Sequence, residues 1–283
     1  MPPLRILIAG LLPHDSGKTW FTAALIKALK KSGVTVAAYK PLGGFNAWHS
    51  YGVLQETLRD KILAGGDART YHKLTGTSLT AINPLAYVTT MPDPTRFTPA
   101  KYQLILDDVA KTTALWRIST CQDRNSHFYS KQALSFTPPT LRRVLEEVAV
   151  IVDAEPADAN QFYEELGRGS FDEVLEKCRE RLEEQATRLL IIESFNNAVT
   201  PYRGLDMCSL DFYVVVAPGF YAVYGGEKVC RAVEVVGFTR TDKLLSALSR
   251  PLLTGYTPPA TELDELASAL ESSAIYELLS ASV

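Results

Sequence analysis

A glycine, a lysine and a threonine stand in succession near the start of the chain, within the run Asp15-Ser16-Gly17-Lys18-Thr19. They lie between a short apolar run and a segment with helical spacing, so backbone N–H groups and the positive end of a helix dipole can surround an anion there. The lysine adds positive charge beside terminal phosphates, and a threonine hydroxyl is an oxygen ligand that suits Mg²⁺. This spacing predicts a phosphate-binding loop that serves a nucleotide and Mg²⁺.

The loop departs from the strict pattern G-x-x-x-x-G-K-[ST], which requires a glycine where this chain has Leu12. The nearest earlier glycine is Gly10, so we interpret the segment as a variant P-loop. The alternative is an ordinary turn at the start of a helix. The residues predicted to contact the nucleotide are Pro13, His14, Asp15, Ser16, Gly17, Lys18, Thr19 and Trp20.

Two charged residues further along the chain follow apolar, strand-like runs. Lys40 follows Val34 to Tyr39, and Glu193 follows Leu189 to Ile192. Ligands of open α/β sheets bind outside the carboxyl ends of the strands, so we expect Lys40 to face the ligand and Glu193 to hold Mg²⁺ directly or through water. The alternatives are that Lys40 is a surface lysine, and that Asp153, which ends another β-branched run, is the main metal carboxylate.

The elements that would position these residues begin with a βαβ unit: a strand from Leu4 to Ala9, a helix from Lys18 to Ser32, and a strand from Val34 to Tyr39. Such units are almost always right-handed. The chain is predicted to have an α/β fold of three layers, in which helices flank a mostly parallel central sheet. We expect one domain over residues 1–283, interrupted by an insertion at about 101–169.

Two segments have ambiguous patterns. The run Ala149 to Ala154 is β-branched and could add a strand after the helix that precedes it. From Glu227 to Val236 the apolar spacing is helical, while the valines would also suit a strand. For this second segment, both a helix and a strand stay open.

Composition limits the partners. The formal net charge is -3 and the sequence pI is about 5.9, so the chain lacks the overall basic field that attracts nucleic acid or anionic membranes. No uncharged stretch approaches the roughly 20 residues of a membrane helix. The four cysteines are widely separated without a C-x-x-C pair, which indicates reduced thiols rather than a metal site or a disulfide framework. A cytoplasmic protein is expected.

A series of motifs then leads to a family. The runs DSGKT, YKPLGG, GGDARTYHKLTG, INPLAY, LLIIES, YVVVAPG and PLLTGYTPP occur in the order found in dethiobiotin synthetase and its P-loop relatives. The chain resembles that family over about three quarters of its length, excluding the insertion. The resemblance implies an ATP-dependent ligase that activates a carboxylate or carbamate of a small molecule, and a homodimer.

The resemblance also implies roles for individual residues. The acid of the loop matches Asp15, while Lys18 and Lys40 would be the catalytic lysines, the second contacting both the substrate and the transferred phosphate. Thr19, Asp67 and Glu193 would hold Mg²⁺. Without the resemblance, Asp67 would be interpreted as a residue that caps the start of a helix.

The substrate half matches the family less well than the nucleotide half. A glycine-rich turn is replaced by Ser194-Phe195-Asn196-Asn197, a loop threonine by His14, and a small hydroxyl residue by Gly44. P-loop ATPases of the ParA and arsenical-pump type carry a second lysine where this chain has Pro13, so that class is disfavoured.

Two alternative functions remain. The chain could be a nucleotide-binding accessory module, with GTP as a candidate nucleotide, resembling the adaptor of molybdopterin guanine dinucleotide synthesis, or a degenerate relative that has lost its nucleotide. The run from Thr239 to Asp242 resembles the guanine-reading sequence [NT]-K-x-D, although Thr241 could instead cap a helix. The run PPATELDEL is the other candidate for contacting the base.

Overall fold

The computed structural model describes residues 2–121, 124–185, 188–237 and 239–283. The strands are β1 Leu4–Gly10, β2 Val36–Tyr39, β3 Leu42–Asn46, β4 Leu85–Thr89, β5 Thr113–Thr120, β6 Arg124–Tyr129, β7 Glu155–Pro156, β8 Leu189–Glu193, β9 Phe212–Ala217, β10 Phe220–Gly225 and β11 Leu253–Tyr256. The helices are α1 Lys18–Lys31, α2 Tyr51–Asp60, α3 Gly66–Thr75, α4 Leu79–Ile82, α5 Pro99–Leu106, α6 Val109–Thr112, α7 Lys131–Phe136, α8 Pro139–Ile151, α9 Ala159–Arg168, α10 Asp172–Glu184, α11 Gly226–Val236, α12 Thr241–Ala247, α13 Leu263–Glu271 and α14 Ala274–Ser282.

The first sheet contains the predicted βαβ unit. Its order is β11-β10-β9-β1-β8-β2, with parallel pairing from β9 to β2 and antiparallel pairing at β9–β10 and β10–β11. β8 lies between β1 and β2, which places the carboxyl ends of these three strands side by side. The α/β class is therefore confirmed, and both sheets are mixed.

Alternating side chains of β1 explain how helices come to cover both faces of the first sheet. Ile6 and Ile8 pack into a core with α1, α3, α13 and α14, whereas Leu7 and Ala9 pack into a second core with α10 and α11. A parallel strand buried on both faces reads as a continuous apolar run, as β1 does.

A second sheet lies beside the first, in the order β3-β4-β5-β6-β7. The segment predicted as an insertion, 101–169, supplies β5, β6 and β7, but β3 and β4 come from earlier in the chain. One face of this sheet contributes Tyr87 and Trp116 to the core that contains Leu7, and the other face packs with α2, α7 and α8.

The two ambiguous segments are helical. The expected strand over 149–154 is wrong, because Ala149 to Ile151 continue α8, whose residues Leu141, Leu145 and Val148 share a buried face. The segment Gly226–Val236 is α11. In both places burial on one helical face outweighs the β preference of valine.

The expectation of four reduced cysteines is also wrong. Cys121 is bonded to Cys178 and Cys208 to Cys230. The pairs are 57 and 22 residues apart in sequence, so only the tertiary fold brings their Cα atoms to 5.2 and 4.8 Å. Disulfides are typical of oxidising compartments, so cytoplasmic location stays a prediction. None of the helices in the described ranges combines the length and apolar character required to cross a bilayer.

Candidate functional site

A cavity of about 450 Å³ opens at the carboxyl ends of β1, β8 and β2. Residues from the loop 11–17, the first turn of α1, and the segments after β2 and β8 line it. The lining residues are Pro13, His14, Asp15, Ser16, Gly17, Lys18, Thr19, Trp20, Lys40, Gly44, Asp67, Glu193, Phe195 and Asn196. The residues that the sequence predicted for the phosphate loop and the two catalytic lysines lie in this set, as do Thr19, Asp67 and Glu193, which were predicted to hold the metal.

The loop 11–17 ends in a backbone conformation that glycine adopts more easily than any other residue. Gly17 has φ 81° and precedes α1, so the chain turns through the left-handed region into the helix. The first N–H groups of a helix have no partner within it, and those of α1 begin at Lys18 beside the cavity. Asp15 also has a positive φ, 53°. The arrangement can receive an anion.

Gly10 gives this loop its room. A Cβ atom built on Gly10 would lie 2.6 Å from Ser16 Oγ and 2.7 Å from Lys18 Nζ, closer than real Cβ atoms approach. The Ser16 hydroxyl accepts from the Leu12 N–H at 3.0 Å and donates to the Leu12 carbonyl at 2.8 Å, which closes the loop on itself. Gly10 therefore makes the space in which this variant loop and its lysine pack.

Lys18 is largely buried, and its ammonium donates to the carbonyl of Asn196 at 2.7 Å. Burial, together with the nearby positive charge of Lys40, lowers the pKa of Lys18 from its ordinary value. Asn196 belongs to the turn after β8 and has φ 47°, which asparagine tolerates better than most residues. An incoming anion would give Lys18 a stronger acceptor than a neutral carbonyl.

Lys40 and Glu193 form a buried ion pair. Lys40 Nζ lies 2.5 Å from Glu193 Oε1, 3.1 Å from the Ser194 carbonyl and 3.3 Å from Asp67 Oδ2. Burial alone would lower the pKa of Lys40, but the two carboxylates outweigh it and hold that pKa above its usual value. Lys40 is thus an internal ammonium between two acids, and the interpretation as a surface lysine is wrong.

Glu193 has a second partner that sequence reasoning missed. The buried phenol of Tyr71 donates to its other carboxylate oxygen. Burial raises the pKa of Glu193, and the hydrogen bonds from Lys40 and Tyr71 oppose that shift. The available signal was the four-residue spacing from Asp67 to Tyr71, which places both side chains on one face of α3.

Asp67 lies at the start of α3, as the alternative interpretation required, but it makes no capping hydrogen bond there. Its carboxylate instead approaches Lys40. Asp67 and Glu193 therefore already converge on one cation, and Thr19 lines the same cavity. Two carboxylates and a hydroxyl form the all-oxygen ligand set that Mg²⁺ prefers, so these residues fit the predicted metal.

Asp153 does not take part. It follows the end of α8 with φ 54° and lines a different cavity, beside α7 and α8. Asp153 was considered as a metal carboxylate because a strand was expected to end there. The preceding residues belong to α8 instead, so the assignment of Asp153 to the metal site is wrong.

The two segments considered for the base lie outside the lining of the 450 Å³ cavity. Thr241 begins α12 and does not cap it with its side chain; its hydroxyl donates to the Asn197 carbonyl at 3.0 Å. Asp242 pairs with Arg240 at 2.6 Å on the surface. The run PPATELDEL leads into α13, which packs against α1.

The chain matches no protein-family model, no curated protein and no solved structure.

Proposed function

We propose that this chain is a P-loop NTPase that binds ATP and Mg²⁺ in the 450 Å³ cavity, with a three-layer core of the kind that such proteins share. One observation carries the proposal: Lys18, Lys40, Asp67, Glu193 and the N-terminal end of α1 all face a single cavity at the carboxyl edge of parallel strands. Two lysines and a helix N-terminus suit a polyphosphate, and the two acids suit its metal.

The residues of the cavity divide into three tasks. The loop 11–17 and the N–H groups of α1 hold the phosphates, and Lys18 moves from the Asn196 carbonyl to the β and γ phosphates. Thr19, Asp67 and Glu193 hold Mg²⁺, which when bound neutralises phosphate charge. Lys40 lies between the two acids in the lining of the cavity, and its ammonium is proposed to contact the phosphate being transferred.

The chemistry we propose is that of an ATP-dependent ligase resembling dethiobiotin synthetase. A carboxylate or carbamate oxygen of a small molecule attacks the γ-phosphorus, the bond to the β-phosphate oxygen breaks, and ADP leaves. An amine then attacks the resulting mixed anhydride, which releases phosphate and forms an amide or cyclic urea. Lys18 and Lys40 stabilise the charge on the transferred phosphoryl group, so no protein nucleophile is required. A homodimer in the cytoplasm belongs to the same proposal.

Calorimetric titration with ATP and with GTP, each with Mg²⁺, tests the binding step. We expect Lys18→Ala to weaken MgATP binding roughly 10- to 100-fold, because hydrogen bonds to charged groups contribute about 1.5–3 kcal/mol. Lys228→Ala, which removes an exposed lysine from α11, is the matched control and should bind as the unmodified chain does. Equal affinity in the Lys18 and Lys228 variants would contradict the proposal.

The same titrations separate the alternatives. Tight preference for GTP with negligible hydrolysis would favour a nucleotide-binding accessory module. If neither nucleotide binds or raises the melting temperature at millimolar concentration, the chain is a relative that has lost its ligand.

A further inference from the structure

Arg117, near the middle of β5, is completely buried and is the largest fully buried side chain in the described residues. Within the described ranges it forms no ion pair with an acid. Its guanidinium donates from Nε to the Leu63 carbonyl at 2.6 Å, from Nη2 to the Asn83 carbonyl, and from Nη1 to the Ser119 hydroxyl. Two backbone carbonyls therefore receive the donors that usually bind a carboxylate.

These two carbonyls belong to two different segments beside the cavity. One segment leads into the helix that carries Asp67, and the other is hydrogen-bonded to Lys40. Leu63 lies just before α3, the helix that contributes Asp67 and Tyr71. Asn83 ends α4, and its side-chain amide donates to the Lys40 carbonyl at 3.1 Å.

Asn83 connects the two segments directly. Its Oδ1 accepts from the Gly65 N–H at 3.3 Å, at the N-terminal end of α3. On the other side of Lys40, the Lys40 N–H donates to the Ile82 carbonyl at 2.7 Å. Lys40 is thus held through both its N–H and its carbonyl by residues 82 and 83, and Arg117 holds residue 83 against residue 63.

A fully buried guanidinium is energetically unfavourable in a protein core. Burial, and then the positive charge of Arg69, lower the pKa of Arg117 to about 9. Leu115, two residues earlier on the same strand, is an ordinary buried apolar side chain, which shows what β5 otherwise places in this layer. Burying a charge without an acid as partner is unfavourable, even when hydrogen bonds offset part of the cost. We therefore expect the hydrogen bonds of Arg117 to have a structural role.

We infer that Arg117 is a positioning residue, which clamps the segment before α3 to the segment after α4 and so sets Lys40 and Asp67 around Glu193. The inference rests on the proposed function, because it gives Arg117 the task of preparing the cavity for Mg²⁺. Arg117 acts through Leu63 and Asn83 and does not contact the ligand.

The test uses Arg117→Met, Arg117→Lys and, as a control for stability loss in the same strand and layer, Leu115→Ala. ATP affinity is measured by calorimetry with Mg²⁺ and again in EDTA. Residues that support metal ligands typically change metal affinity 10- to 100-fold, so we expect Arg117→Met to weaken MgATP binding by about that factor. ATP binding in EDTA should weaken much less, since the loop 11–17 makes none of these contacts and only Lys40 joins the clamp to the phosphates.

Arg117→Lys should have an intermediate effect, because one ammonium cannot reach both carbonyls with the geometry of a guanidinium. Leu115→Ala should lose stability and keep both affinities. MgATP binding by Arg117→Met equal to that of the unmodified chain, or parallel losses in the Arg117 and Leu115 variants, would overturn the inference. If Arg117→Met does not fold, the comparison of Arg117→Lys with Leu115→Ala decides in the same way.

Hydrogen exchange separates failure of this inference from failure of the proposed function. If the unmodified chain binds no nucleotide, the proposed function fails, but the clamp can still be measured. The amides of residues 63–68 and those of residues 82, 83 and 85 should exchange faster in the Arg117 variant than in Leu115→Ala at equal global stability. Equal exchange rates would mean that Arg117 holds neither segment.

Discussion

Glu193 illustrates what a buried carboxylate requires. It is only 1% exposed, and it keeps its place because Lys40 and Tyr71 each donate to one of its oxygens. A carboxylate buried without partners would be neutralised or displaced. Both carboxylate oxygens therefore have a donor, and one of these donors, Lys40, also approaches Asp67.

We predict that Glu193→Gln weakens MgATP binding about 10-fold or more, because it removes one of the two carboxylates that we propose as metal ligands. Calorimetry across a Mg²⁺ series measures the effect, which should vanish in EDTA. Asp242→Asn, at a half-buried acid outside the cavity, is the control and should behave as the unmodified chain. A Glu193 variant with unaltered Mg²⁺ dependence would remove this residue from the metal site.

His127 should make the stability of the molecule depend on pH. It lies opposite Arg117 on β6, and its Nε2 is buried without a hydrogen-bond partner in the described chain. Burial, and then the charge of Arg117, lower the pKa of His127 to about 4. In the unfolded chain this histidine binds a proton near pH 6.5, whereas in the folded chain it does so only near pH 4. The free energy of unfolding therefore falls as the pH drops through that interval.

We therefore expect the unmodified chain to lose about 2 kcal/mol more than His127→Gln between pH 7 and pH 5. Urea unfolding at the two pH values measures this difference. His49→Gln, at an exposed histidine, should keep the full pH dependence. Parallel pH profiles for the unmodified chain and the His127 variant would show that folding does not lower the pKa of this histidine.

At the scale of elements, β3 and β4 meet the cavity through a glycine. Gly44 is paired with Tyr87 in the parallel register, and a Cβ atom on Gly44 would lie 2.3 Å from the Tyr87 ring. Phe195 and Tyr163 pack around that ring, with centroids 6.1 and 6.0 Å away. The ring therefore has little room to move, and Gly44 is the residue that lets the two strands pair with it in place.

Gly44→Ala is predicted to destabilise the fold by about 1–3 kcal/mol, the usual range for overpacking a core. Gly52→Ala offers a matched control, since its Cβ atom would meet nothing within 4 Å and it lies within α2. Alanine there should be neutral or stabilise by up to about 1 kcal/mol. Urea unfolding of the two variants compares them, and a neutral Gly44→Ala would mean that Tyr87 can move aside.

At the scale of the whole molecule, a disulfide joins the two sheets' layers. Cys121 follows β5 of the second sheet, and Cys178 lies in α10, which packs against β2 of the first. The second disulfide, Cys208–Cys230, ties the short turn before β9 to α11.

Loop-closure entropy predicts that removing the Cys121–Cys178 bond costs about 4 kcal/mol and removing Cys208–Cys230 about 3 kcal/mol. Urea unfolding of the two double alanine variants tests this order. Thiol titration of the denatured, unreduced chain should find no free cysteine. Four free thiols there would restore the expectation that the sequence suggested.

The local part of the site could be predicted from the sequence alone. The unit from β1 through α1 to β2 could be predicted because its periodicity, its glycine and its lysine are all local signals, and parallel pairing then brings Lys40 and Glu193 to one edge. Asp67 came only from the motif resemblance, although the structure places it against the same ammonium.

The tertiary structure decided the rest, because those contacts join residues far apart in sequence. Tyr71 meets Glu193 across 122 positions, and Arg117 meets Leu63 across 54. The valines of α8 have a β preference that yields to burial against the second sheet. Contacts between residues that are distant in the sequence produce no recognisable pattern in a single sequence. The strand, loop and helix around Lys18 and Thr19 do produce one, because their signals are local.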